Sequence, residues 1–151
     1  MTEDIVAVPP IVIEIETAVD AGRAWRAVTE PAEVAEWFAG VTPAGPAGTP
    51  YRVDFGDGSA IEGSVRALDP GRRLAYTWHW TDDEAGPTTL VTWAVEPAGE
   101  GRARVRLTHD GWLEAGSDRA TRDDHAAYWE DYLTGLSEVL TGDDEDPAPG
   151  A

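Results

Sequence analysis

The 151-residue sequence contains no cysteine, which excludes disulfides, thiol nucleophiles, zinc–thiolate centres and iron–sulfur clusters. Lysine, asparagine and glutamine are missing too, so all 11 basic residues are arginine, set against 29 acidic ones for a net charge of −18. Such a surface repels phosphate backbones, whose recognition rests on cations, and is repelled by anionic lipid headgroups. Neither nucleic acid nor membrane is expected as a partner. No apolar run approaches the roughly 18 residues that read as a bilayer span. The acidic opening Met1-Thr-Glu-Asp-Ile-Val lacks the basic segment of a secretory signal, so the expected compartment is the cytoplasm. The bias toward Ala, Gly, Pro, Asp and Arg points to a GC-rich bacterial genome.

Catalytic motifs are equally scarce. There is no G-x-S-x-G elbow and no P-loop, and Gly56-Asp57-Gly58 is only the beginning of a dinucleotide fingerprint. His79, His109 and His125 are too scattered for a spaced metal motif, and Asp82-Asp83-Glu84 reads as a solvated loop. No metal and no cofactor are expected.

What is present organises into one domain, since a chain of this length buries roughly two-thirds of its unfolded surface. Ile11, Ile13 and Ile15 alternate with polar neighbours and predict a strand. Asp20 is placed to cap a short helix whose buried stripe is Ala21, Ala24, Trp25 and Val28. Pro31 suits the first position of a second short helix with Val34, Trp37 and Phe38 on its apolar face and Gly40 as its stop. A loop follows from Val41 to Pro50.

Beyond it the period becomes two. Tyr51, Val53 and Phe55 alternate, Gly56-Asp57-Gly58 marks a hairpin, and a strand runs from Ala60 to Leu68 before the turn Asp69-Pro70-Gly71. Leu74, Tyr76, Trp78 and Trp80 share one face of the next strand. An acidic loop, Thr81 to Pro87, leads to Val91, Trp93 and Val95; after Pro97 to Gly101 come Val105, Leu107 and His109. Short turns between these strands predict an antiparallel meander. Thr121 with Asp124 resembles a capping box and predicts a helix to Thr141, stopped by Gly142, with His125, Trp129, Tyr132, Leu133, Leu136, Val139 and Leu140 on one stripe. Residues 1–8 and the acidic stretch 143–151 are expected to be flexible and disordered, leaving 9–142 as the domain. An antiparallel sheet with its helices on one face is an α+β architecture.

Trp25-Arg-Ala-Val-Thr29-Glu-Pro31 followed by Trp37-Phe38 resembles the two-helix signature of the START-like (SRPBCC) superfamily. Gly63-Ser-Val65 before Asp69-Pro70-Gly71-Arg72-Arg73-Leu74 resembles its central hairpin, and Thr108-His109-Asp110-Gly111-Trp112 with the terminal helix its closing elements. Within that superfamily, residues 9–141 are most similar to the C-terminal domain of the activator of heat-shock protein 90 ATPase. The resemblance implies a helix-grip fold: a curved antiparallel sheet wrapped around the long C-terminal helix, two short helices after the first strand, and an internal cavity. It further implies a hydrophobic small-molecule ligand, with aromatase/cyclase-type enzymes among the relatives. The chaperone activators contact their partner through an additional N-terminal domain, so a chaperone partner ranks behind a ligand.

The candidate cavity residues are Trp37, Phe55, Tyr76, Trp78, Trp80, Trp93, His109, Trp112, His125, Trp129 and Tyr132. The set carries more ring surface than a small close-packed core readily holds, and indole N–H groups need partners. Trp112 is placed to lie over the cavity entrance. His109 and His125 fall on inward positions, where they would bind a polar ligand group or act as acid and base. Alternatively each sits half exposed at an element end, bonded to a carboxylate or water. Three readings follow: a protein that binds a hydrophobic or aromatic small molecule, a cyclase- or hydrolase-type enzyme in the same cavity, and a chaperone or stress-response interaction module. The protein would be a monomer or a homodimer.

Overall fold

The computed structural model describes residues 10–38, 45–54, 58, 60–81, 88–111 and 118–144, without the side chains of 31, 118–121 and 141–144. Gly40, Phe55, Gly56, Asp57, the acidic loop at 82–87, Trp112, residues 1–9 and 145–151 lie outside the described residues.

Strand β1 (Ile11–Thr17) leads into α1 (Ala21–Thr29). Asp20 caps that helix, its carboxylate accepting the Arg23 N–H at 2.8 Å. The helix ends at Glu30, held extended (φ −81°, ψ 128°) as the residue before a proline is disposed to be. Pro31 then opens α2 (Pro31–Val34), where its missing N–H costs nothing. Ala24, Ala27 and Val28 are the buried positions of α1, whereas Trp25 is half-buried, so the stripe is turned slightly from the expected one.

Five strands follow: β2 (Pro50–Asp54), β3 (Ala60–Asp69), β4 (Arg73–Trp80), β5 (Thr89–Pro97) and β6 (Ala103–Asp110). They pair in the order β1-β6-β5-β4-β3-β2, antiparallel throughout, so β2 to β6 form the expected meander and β1 closes its far side. The β3–β4 ladder is irregular. A bulge falls between Val65 and Ala67, and the Ser64 N–H donates to the Thr77 hydroxyl at 2.9 Å in place of a backbone carbonyl. The Tyr51 hydroxyl donates to the Thr77 carbonyl. A Cβ at Gly63 would lie 2.4 Å from that carbonyl oxygen, so only glycine fits there.

The last element, α3 (Asp118–Asp144), is longer than the capping box at Thr121 and the stop at Gly142 predict. Gly142 tolerates helical angles at a cost of about 1 kcal/mol against alanine, so it need not end the helix. The stripe is as expected, with His125, Trp129, Leu133, Leu136 and Leu140 buried and Tyr132 and Val139 half-buried. The helix lies along β1, and α1 packs on β5, β6 and α3, giving the helix-grip arrangement. No helix among the described residues is long and apolar enough to cross a membrane.

The other face of the sheet is charged. Arg104 pairs with Glu14, Glu16 and Glu96, Arg106 with Glu14, and Arg102 with Glu16, across β1, β6 and β5. The Arg104 guanidinium holds the Glu16 carboxyl below the usual carboxylate range.

Candidate functional site

Alternation along β4, β5 and β6 points Tyr76, Trp78, Trp93 and His109 at α3, while the helical stripe points His125, Trp129 and Tyr132 back at them. Trp129 is the hub: its ring centroid lies 5.4 Å from Trp78, 5.8 Å from Trp93 and 5.7 Å from Phe38. Trp37 joins through Trp93 at 5.6 Å, Tyr132 through Phe38 at 4.8 Å and Trp80 through Trp78 at 6.1 Å. Every described candidate from the sequence thus enters one cluster. Phe38, Tyr51 and Thr89 also join it or its margin, although only their strand or helix parity signals this. Phe55 and Trp112 lie outside the described residues.

An indole N–H can only donate, so each ring in a dry core needs an acceptor. Trp37 donates to the Ala27 carbonyl at 2.8 Å and Trp93 to the Tyr76 hydroxyl at 3.0 Å. Trp129 donates to Nδ1 of His109 at 3.0 Å, and Trp78 and Trp80 both donate to Nε2 of His125, at 3.3 and 2.9 Å.

These bonds assign the protons. Nδ1 of His109 accepts, so the neutral ring carries its hydrogen on Nε2 and donates it to the Thr89 hydroxyl, 2.6 Å away. Thr89 in turn donates to the Trp78 carbonyl at 3.3 Å. His125 keeps Nε2 bare as an acceptor, and a proton placed there would displace two indole donors. Burial drives the pKa of His109 well below its ordinary value of 6.5, and the nearby His125 adds to the effect. The ring centroids of the two histidines are 5.4 Å apart. The half-exposed setting does not describe them. His109 is fully buried, His125 is 8% exposed, and both accept indole N–H groups.

Two tyrosine hydroxyls are engaged as well, Tyr76 accepting from Trp93 and Tyr51 donating to the Thr77 carbonyl. Burial pushes the pKa of Tyr76 and Tyr51 upward, with Tyr76 adding to the effect on Tyr51. Burial also raises that of Tyr132, helped by Tyr128 and Asp131.

Among the described residues, shallow grooves lie elsewhere. One of about 390 Å³ crosses Gly63, Thr77 and His79, and another of about 430 Å³ runs between β1 and α3 over Ile13, Ile15 and Leu133. Neither is lined by His109, His125 or Trp129. Among the described residues no group of three His, Asp or Glu side chains is placed to hold a metal ion.

Known proteins share this fold. The chain is similar to DynU16, a protein in the dynemicin biosynthetic locus, at 28% identity and a TM-score of 0.72, covering 87% of this chain. It spans only 46% of DynU16. Protein MLL2253 from Mesorhizobium loti is 24% identical with a TM-score of 0.76, over 91% of this chain and 99% of that one. The Aha1 dimer from Colwellia psychrerythraea is 20% identical with a TM-score of 0.68, over 87% of this chain and 95% of that one, and shares the fold. No curated protein matches. The family model for activator of Hsp90 ATPase homolog 1-like proteins matches residues 18–141, and the chain belongs to that family.

Proposed function

We propose that this member of the activator of Hsp90 ATPase homolog 1-like family is a cytoplasmic protein that binds a flat hydrophobic or aromatic small molecule between the sheet and α3. The observation that carries the reading is the fate of the indole N–H groups. Trp37, Trp78, Trp80, Trp93 and Trp129 all tie their polar edges back into the protein, and the half-buried Trp80 is the one of the five whose ring face reaches the surface. Ring faces of this kind suit stacking with another ring. The half-buried Trp80 and Tyr132 at the margin of the cluster are where such a ligand would first make contact. The similarity to a protein in a biosynthetic locus supports a small-molecule role.

A cyclase- or hydrolase-type enzyme ranks second, because Nδ1 of His109 and Nε2 of His125 are already engaged as acceptors. An interaction module ranks third. The exposed large apolar side chains among the described residues, Val12, Leu90 and Tyr128, are scattered rather than gathered in a patch.

Titration with 2-naphthol and with naphthalene, followed by tryptophan fluorescence, tests the reading. Saturable quenching at one site per chain is expected, with Trp80→Leu altering the preference between the two more than it alters the fold. Absence of saturation with both compounds, together with native mass spectra of freshly purified protein that carry no added mass, would overturn it.

A further inference from the structure

Eleven arginines among 29 acidic residues should all find carboxylates. Six of those described do: Arg23 with Glu33, Arg52 with Glu62, Arg102, Arg104 and Arg106 with the glutamates of β1 and β5, and Arg122 with Asp123. Arg26 pairs with none but occupies the last turn of α1, where a cation offsets the negative end of the helix. The remaining described arginines, Arg66, Arg72 and Arg73, are exposed, form no ion pair and fall within one hairpin.

The backbone that presents them is fixed. The bulge between Val65 and Ala67 puts Arg66 at a break in the β3 ladder. Arg72 lies in a tight turn, its N–H donating to the Asp69 carbonyl at 2.9 Å and its own carbonyl accepting from Val95 at 2.8 Å. Arg73 pairs in register with both Asp69 and Ala94. Gly71 supplies the left-handed angle of the turn (φ 83°). With Asp69 the only acidic residue between positions 66 and 73, the hairpin is locally positive on a strongly negative protein.

We infer that the β3–β4 hairpin is a docking surface for a short acidic segment of a partner protein. Guanidinium forks bind carboxylates two bonds at a time, and a rigid backbone lowers the cost of aligning them. The sign of the whole molecule selects the size of the occupant. At physiological ionic strength the field of the hairpin reaches about 8 Å, while a long polyanion or a lipid surface would also meet the negative remainder of the protein. Arg66 stands about 10 Å along the strand from the turn, at about 3.3 Å per residue. The surface therefore suits acidic side chains some three residues apart in an extended segment. It lies at the opposite end of β4 from Trp80 and does not depend on the proposed ligand site.

The test is fluorescence anisotropy of a short fluorescein-labelled peptide of glutamate and glycine, at low and physiological salt. Saturable, salt-weakened binding is expected. The triple variant Arg66→Gln/Arg72→Gln/Arg73→Gln should raise Kd about tenfold, the equivalent of three exposed pairs. Arg73→Gln alone should give a partial loss, and Arg52→Gln, whose guanidinium already serves Glu62, should stay within about twofold. Circular dichroism of each variant separates lost binding from lost fold. Lack of saturable peptide binding, equal losses from Arg52→Gln and the triple variant, or tighter binding of duplex DNA than of the peptide would each overturn the proposal.

Discussion

In its first half α3 meets the sheet through His125 and Trp129, rings held by N–H···N bonds of about 3 Å to Trp78, Trp80 and His109. In its second half it meets the same interior through Leu133, Leu136 and Leu140, all fully buried. The two halves bury apolar surface alike but differ in what they demand. Leucines ask only for volume and close contact, which is non-directional. The rings ask for one orientation and one protonation state, because a donor-only indole next to a protonated imidazole nitrogen has no acceptor. One helix thus carries a tolerant half and an exacting half.

The comparison breaks most visibly at the tolerant half. Leu136→Ala should cost about 2–5 kcal/mol by urea denaturation, the range for a buried leucine, and the loss should be the same at pH 7 and pH 5.5. At the exacting half, His109→Leu removes the acceptor of the Trp129 N–H and should cost about 1–3 kcal/mol at pH 7. The pH dependence distinguishes the halves more sharply still. His109 has a folded-state pKa well below 6.5, so folding favours its neutral form. Its contribution is complete above the unfolded pKa and is lost as pH falls below about 6.5, where the unfolded chain binds a proton and the folded one does not. Stability measured from pH 7.5 to 5 should therefore decline, and His109→Leu should flatten that decline. A decline unchanged in the variant would assign it to other groups.

Smaller effects sharpen the boundary between the halves. At Gly135 a Cβ would meet the Trp37 Cβ at 3.5 Å, an ordinary contact, so Gly135→Ala should stabilise by up to about 1 kcal/mol through helix propensity. Glu138 faces solvent, and Glu138→Ala should shift stability by less than about 0.5 kcal/mol. Comparable losses at Leu136 and Glu138 would mean that the helix is rotated from this orientation.

The sequence displays the tolerant half better than the exacting one. Strand parity is written locally: Val91, Trp93 and Val95 alternate inward as read, and the α3 stripe follows from spacing alone. Asp20 and Pro31 mark helix starts because capping chemistry is local too. Thr121 misled because a capping-box pattern also occurs inside a first turn, and Gly142 because glycine permits a stop without compelling one. The partners of the histidines were illegible for a different reason. Nothing near His125 in sequence announces Trp78 and Trp80, 47 and 45 residues away, and the Thr89–His109 bond depends on registering two strands. The ring cluster could be listed from sequence, but not who donates to whom.

The place of β1 at the end of the sheet sets an order of events. Strands β2 to β6 are neighbours in sequence and can zip hairpin by hairpin, whereas β1 finds β6 only across a gap in which Ile11 pairs with His109. Closing so long a loop costs entropy before any ladder bond repays it, so that pairing belongs late on the folding route. The Glu14–Arg106 and Glu16–Arg104 pairs across it form with it. Interactions made after the rate-limiting barrier slow unfolding and leave folding speed alone. The stability that these exposed pairs lend is therefore expected to appear in the unfolding rate of the first strand rather than in the folding rate.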